Sequence, residues 1–161
     1  MLRTLKLLEK ERVAVIQGTL TIQSEAAEVV RARDWISALA CKAGISQQEA
    51  LELQLVLSEA CTNAIKHAYG MRKGYPIKLS ATIGDDRIRL VIRDFGRKMD
   101  LQKYQKPDLG DPPDSGYGIY LMQCLMDEVH FDVSYDEGTE LTLVKRRHKS
   151  INAPIHPDSD R

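Results

Sequence analysis

Glu59-Ala-Cys-Thr-Asn63-Ala-Ile-Lys66-His67-Ala-Tyr69 sets a carboxylate and a carboxamide four residues apart within a stretch of helical apolar spacing. Residues i and i+4 of a helix stand one above the other, so Glu59 and Asn63 project to one side. Together they offer oxygen ligands for a hard divalent cation and a base able to take a proton from a nucleophile. A lone pair of this kind reads equally well as a helix cap or a solvent-facing pair, because such residues favour the surface. Lys66 and His67 follow one turn on, either as structural residues of the helix end or as contributors to the same site.

Two later segments weigh against the surface reading. Val91-Ile-Arg-Asp94-Phe-Gly96 is an apolar strand ending in Asp-x-Gly. Asp114-Ser-Gly116-Tyr-Gly118-Ile-Tyr-Leu is a glycine pair opening a helical pattern. Glycines let backbone N–H groups approach an anion closely, and a helix N-terminus adds partial positive charge. Asp-x-Gly alone marks a turn, and GxG alone is weak. A helix with ExxxN, a strand with DxG, GxG before a helix and then Gly138-Thr139 form an ordered set.

The elements that would hold these residues follow from periodicity. Val13 to Ile22 reads as a strand. Ser24 is placed to cap a helix running to Ala43, with Val29, Ala32, Ile36, Leu39 and Ala43 as its apolar face and Gly44 closing it. Ser46-Gln-Gln-Glu49 is a capping-box pattern and opens the helix that carries Glu59 and Asn63, which ends near Tyr69-Gly70. Alternation at Ile77, Leu79, Ala81 and Ile83, then at Ile88, Leu90 and Ile92, predicts a hairpin across Gly84-Asp-Asp. Gly118 to Glu128 reads as helix, Val129 to Tyr135 as strand, and Leu141 and Leu143 belong to a last strand after Asp136-Glu-Gly138. Residues 97–115 lack periodicity and contain three prolines; a loop this long in a compact domain is usually functional.

Bulk properties narrow the class. A chain of 161 residues supports one domain with a real core. Lys plus Arg and Asp plus Glu balance at 23 each, so no global field recruits nucleic acid or an anionic membrane. Lys145-Arg-Arg-His-Lys149 reads as a solvated terminus. No apolar run reaches the length of a membrane span, and no signal-peptide block is evident. Cys41, Cys61 and Cys124 lack CxxC spacing and fit reduced thiols of a cytoplasmic protein. The four histidines lack zinc-ligand spacing.

The ordered set resembles the nucleotide-binding boxes of the ATPase superfamily of gyrase B, MutL and the histidine kinases. Within it, residues 13–145 resemble the bacterial anti-sigma-factor serine/threonine kinases of the sporulation and stress-response type. A histidine kinase is expected to carry a dimerisation helix pair before this region, and gyrase or MutL relatives a transducer domain. The resemblance implies an α/β protein, more narrowly an α+β two-layer sandwich with a mixed, mainly antiparallel sheet and helices on one face. Residues 1–12 would be an arm, 13–147 the ATP-binding domain with a lid at 97–115, and 148–161 a disordered tail.

By the same resemblance the cofactors are ATP and Mg²⁺. Glu59 matches the general base and Asn63 the Mg²⁺ ligand. Asp94 matches the acceptor for the adenine amino group, and Gly96 leaves room for the ring. Gly116 and Gly118 match the glycines that meet the phosphates. Thr139 matches a hydroxyl supporting Asp94 directly or through water, and Arg31 matches a partner contact on the first helix. The implied partners are a sigma factor or related effector and a small anti-anti-sigma protein phosphorylated on serine, with a homodimer possible through the first helix. The alternative is a nucleotide-gated binding module with little or no kinase activity. It draws on two departures: Arg97-Lys98 stand where a second glycine is often found, and the lid is acidic at Asp108, Asp111 and Asp114.

Overall fold

Period-two alternation gives each strand one apolar face, and register stacks those faces into a single floor. The computed structural model describes residues 15–103 and 116–147. Its strands are β1 (Ile16–Gln23), β2 (Pro76–Ile83), β3 (Arg87–Arg93), β4 (Glu128–Asp132) and β5 (Glu140–Arg146), in the order β1-β2-β3-β5-β4. One cross-strand row runs Leu20, Leu79, Ile92, Leu141, Phe131 from edge to edge. The alternate residues, among them Thr21, Lys78, Arg93 and Glu140, share the opposite face.

The sheet expected to be mixed is antiparallel in every pairing of the described residues. The connections explain this. Between β1 and β2 the chain passes through two successive helices, α1 (Ala26–Lys42) and α2 (Gln47–Asn63), and the three reversals this makes, an odd number, return it antiparallel. β4 runs in the direction of β3, but β5 inserts between them and removes the parallel pair.

The helices, including α3 (Tyr117–Leu125), cover the apolar face. Ala32, Ile36, Leu39 and Ala40 of α1 and Leu53, Val56, Leu57, Ala60 and Cys61 of α2 are buried against it. Each buried Leu or Ile contributes about 1.5–3 kcal/mol relative to exposure. Gly18 of β1 leaves space for α1, since a Cβ there would lie 2.7 Å from a Leu39 methyl. Lys145 crosses under the helices to Glu52 (2.9 Å) and to the Leu125 carbonyl (3.0 Å), tying β5, α2 and the end of α3 together.

The helix ends follow their sequence signals with one exception. Ser46 accepts the Glu49 amide (3.2 Å), and its hydroxyl bonds the Glu49 carboxylate (2.9 Å). Gly44, at φ +64°, ends α1 with Gly44 N–H on the Cys41 carbonyl and Ile45 N–H on the Ala40 carbonyl, the paired bonds of a Schellman motif. Ser24 does not cap α1. Glu25 occupies that position without a side-chain bond, because the buried Ser24 hydroxyl is engaged elsewhere. It donates to the Arg72 carbonyl (2.6 Å) and accepts the Tyr75 amide (3.0 Å).

α2 continues into a π-helical turn, Ala64–Ala68, closed by Tyr69 N–H on the Ala64 carbonyl (3.0 Å). π turns are rare and gather at functional sites. Tyr69, 1% exposed, lies just beyond. Its hydroxyl donates to the Pro76 carbonyl (2.5 Å) and accepts the Phe95 amide (2.8 Å), joining the turn to β2 and to the Asp-x-Gly segment. The last helix and its strand are shorter than the sequence suggests, with Val133 and Tyr135 beyond the end of β4. The arm, most of the lid and the tail lie outside the described residues.

Tyr69→Phe should test this junction. It leaves the Pro76 carbonyl and the Phe95 amide without their shared partner, at an expected cost of about 1–3 kcal/mol. Urea unfolding should show a lower midpoint with an unchanged slope; an unchanged midpoint would mean that the hydroxyl is dispensable to the junction.

Candidate active site

The face of α2 that carries Asn63 and His67 forms one wall of a cavity of about 410 Å³. Ile92, Leu141 and Phe131 line its apolar floor, and Arg97, Lys98 and Lys103 stand at its outer side. Gly116, Gly118 and Ile119 at the start of α3 close the far end. The size and the mostly apolar lining with a few polar groups suit a small organic ligand.

Asp94, just past the end of β3, is the buried charged group of the lining, 7% exposed. Its Oδ1 accepts the Gly96 amide (3.1 Å) and the Thr139 amide (3.3 Å). Its own N–H donates to the Thr139 carbonyl (3.0 Å). No described residue bonds Oδ2, and Asp94 lines the cavity, so that oxygen can accept from a ligand N–H. Burial raises the carboxyl above the usual aspartate range, while the two amides and the nearby Arg93 charge pull it back.

Two glycines are required by close approach. A Cβ on Gly96 would run into the Ala68 carbonyl, and the next residue, Arg97, donates its amide to that same oxygen (2.9 Å). The Asp-x-Gly segment is thereby pressed onto the π turn. A Cβ on Gly118 would lie 2.7 Å from Glu59 Oε2 and 3.4–3.6 Å from the Asn63 carboxamide. The opening turn of α3 thus abuts both helix residues predicted to do chemistry. Amides at such a turn suit an anion. The carboxamide oxygen of Asn63 suits Mg²⁺, which keeps several waters and takes few protein ligands.

Sequence reasoning brought together residues that the structure also brings together: Asn63, His67, Asp94, Gly116, Gly118 and Thr139 line the cavity, with Glu59 at its rim and Gly96 behind Asp94. Two expectations need correction. The Thr139 hydroxyl makes no direct bond to Asp94; the Thr139 backbone amide does, and the hydroxyl accepts the Met99 amide (2.9 Å), anchoring the start of the lid. Lys66 lies outside this cavity, in an adjoining cleft with His67, Arg72 and Arg97, because the π turn directs it away. Arg31, expected as a partner contact and not as a cavity residue, is exposed on α1 and paired with Glu28 (3.1 Å). Asp108, Asp111 and Asp114 fall outside the described residues.

Sequence reasoning missed Ile92, Leu141 and Phe131 as the floor, although their inward alternation was visible. It also missed the Tyr69 hydroxyl, which no local pattern marks.

An α+β sandwich with this cavity between α2 and its π turn, an Asp-x-Gly strand end and a glycine-opened helix defines a nucleotide-binding ATPase architecture. Residues 22–145 match the histidine kinase-like ATPase domain family. The serine-protein kinase RsbW of Bacillus licheniformis is 35% identical over 120 residues, covering 68% of this chain and 73% of its own length. The RsbW of Bacillus subtilis is 30% identical over 145 residues, covering 84% and 88%. The solved RsbU and RsbW domains of a Mycobacterium tuberculosis protein share the fold, with a TM-score of 0.58 at 18% identity over 80% of this chain and 32% of that longer one. The chain belongs to the histidine kinase-like ATPase family and, within it, to the RsbW serine-protein kinases. No helix of the described residues is long and apolar enough to cross a membrane.

The raised pKa of Asp94 has two consequences of opposite sign. A carboxyl whose folded pKa exceeds its unfolded one costs the unliganded fold stability above the unfolded value, and that cost fades as pH falls through the folded pKa. Asp94→Asn should therefore raise the thermal midpoint of the ligand-free protein at neutral pH. It should also weaken ATP binding, and wild-type ATP affinity should begin to fall at a pH above the ordinary aspartate range. Calorimetric titration across pH, with thermal melts of both proteins, checks both. A destabilised Asp94→Asn would remove burial as the dominant cause.

Proposed function

We propose that the chain is an ATP- and Mg²⁺-dependent protein-serine kinase and anti-sigma factor. It holds a sigma factor or related effector in the cytoplasm and phosphorylates a serine of a small anti-anti-sigma protein. The observation that carries the reading is the contact of Glu59 and Asn63, one turn apart on α2, with Gly118 at the end of a cavity whose depth is marked by Asp94.

Each role follows from that placement. Asp94 Oδ2 accepts from the adenine amino group, and the same position in guanine presents a carbonyl that would oppose it. Gly96 leaves the ring its space beside the π turn. Amides at Gly116 and Gly118 meet phosphate oxygens. Mg²⁺, held by Asn63, supplies charge neutralisation on those oxygens when bound. Glu59 accepts the proton of the incoming serine hydroxyl as that oxygen bonds to the γ-phosphorus and the bridging P–O bond breaks, releasing ADP.

Glu59→Ala and Asn63→Ala should separate chemistry from binding. Glu59→Ala is expected to keep ATP affinity and lose phosphate transfer, since the base acts on the nucleophile. Asn63→Ala is expected to lose the Mg²⁺-dependent part of ATP affinity. Calorimetry with and without Mg²⁺ and transfer of labelled phosphate to co-purified acceptor proteins, with phosphoserine located by mass spectrometry, give the readouts. Transfer by Glu59→Ala at the wild-type rate would reassign the base. Co-purification that yields no sigma factor and no phosphoserine acceptor would remove the partner assignment.

A further inference from the structure

On the opposite face of the sheet from the helices, behind Asp94, lies a side chain that the site as described does not use. Arg93 ends β3, one residue before Asp94, and its outward register pairs it with Glu140 and Lys78. Its guanidinium stands 4.6 Å from the centroid of the Phe95 ring and 4.0 Å from that of Tyr135. Stacking on two rings fixes the plane of the fork and leaves its N–H groups directed sideways.

Those N–H groups meet three backbone carbonyls. Nη1 donates to the carbonyls of Asp94 and, at 3.4 Å, Thr139. Nη2 donates to the carbonyl of Glu137 at 2.7 Å. The three acceptors belong to the two loops that present Asp94 to the cavity. One contains Asp94 itself, and the other delivers the Thr139 amide to Asp94 Oδ1. Gly138, between the last two acceptors, has φ +73°, and a Cβ there would collide with the Asp94 carbonyl and lie 2.7 Å from Arg93 Nη1. No side chain fits between the loops, so the arginine and the glycine form one close-packed joint.

We propose that Arg93 is a positioning residue for base recognition, its guanidinium cross-linking the 94–96 and 137–139 loops from the outer side of the sheet so that Asp94 Oδ2 is aimed into the cavity. The inference rests on the reading that Asp94 receives the adenine. Nothing of Arg93 reaches the ligand, so it acts wholly through Asp94. It therefore belongs to the binding of ATP and not to the transfer step, and its loss should appear in KM or Kd with kcat retained. Its positive charge also faces the carboxylate, so its removal should move the acid limb of ATP binding to higher pH.

The test uses the full chain with Arg93→Met, which keeps the apolar stem between the rings but removes the donors, alongside Gly138→Ala, Asp94→Asn and the Arg93→Met/Asp94→Asn double variant. ATP and GTP affinities are measured by calorimetry. Arg93→Met is expected to weaken ATP about tenfold while leaving GTP little changed, as loss of an aligned buried hydrogen bond predicts, with the acid limb shifted upward and kcat unchanged. Gly138→Ala should reproduce the loss of preference. In the double variant Arg93→Met should add nothing to Asp94→Asn, because both act on one contact. Wild-type ATP affinity and preference in Arg93→Met, or equal additive losses for ATP and GTP, would overturn the proposal. An Asp94→Asn that keeps the adenine preference would overturn the reading beneath it as well, which separates the two failures.

Discussion

A carboxylate that must stay charged while almost wholly withdrawn from water constrains everything around it. Asp94 is satisfied on one oxygen only, by two backbone amides from segments far apart in sequence. Burial opposes its ionisation, and the second oxygen is left for whatever enters the cavity. That arrangement needs the 137–139 loop and the 94–96 loop at a fixed separation. The separation in turn depends on β3 and β5 being neighbours, which is the pairing that excludes the parallel contact with β4. The sheet order is thus part of the site.

The other end of the cavity depends on the helices. Gly118 reaches Glu59 and Asn63 only if α3 lies against α2, and Lys145 holds that relation from below through Glu52 and the Leu125 carbonyl. Both groups of this ion pair are largely covered, and the lysine also takes a carbonyl that α3 would otherwise leave open at its C-terminus. The site therefore has two mechanical supports, one on each side of the sheet. One fixes the depth at which Asp94 sits, and the other fixes the rim where Gly118 meets Glu59 and Asn63.

Much of this was legible in the chain because the signals are local. The Ser46 cap, the Gly44 ending and the hairpin from Ile77 to Ile92 each depend on residues within a few positions, and each formed as the pattern predicts. Glycine positions were readable for the same reason, although why Gly96 is required, the approach of the Ala68 carbonyl, was not. What escaped reading is non-local. Ser24 looks like a cap until the chain returns at Arg72 and Tyr75 to claim its hydroxyl. Thr139 looks like a hydroxyl donor until the fold turns its amide to Asp94 and brings Met99 to its oxygen. The order of β5 and β4 is not written in their alternation at all, since both strands carry the same period.

The π turn at Ala64–Ala68 makes winding the property of this segment on which its neighbours depend. Winding the same residues as regular α-helix would rotate everything after them by about 100°, the arc of the one extra residue that a π turn holds. Tyr69 would swing out of the core, and the Ala68 carbonyl would leave the loop it anchors. Of the stretch only Lys66 is both exposed and away from the cavity; His67 lines it, and Ala64, Ile65 and Ala68 are buried. At constant length the winding cannot change, because both ends of the turn are already fastened to different parts of the fold.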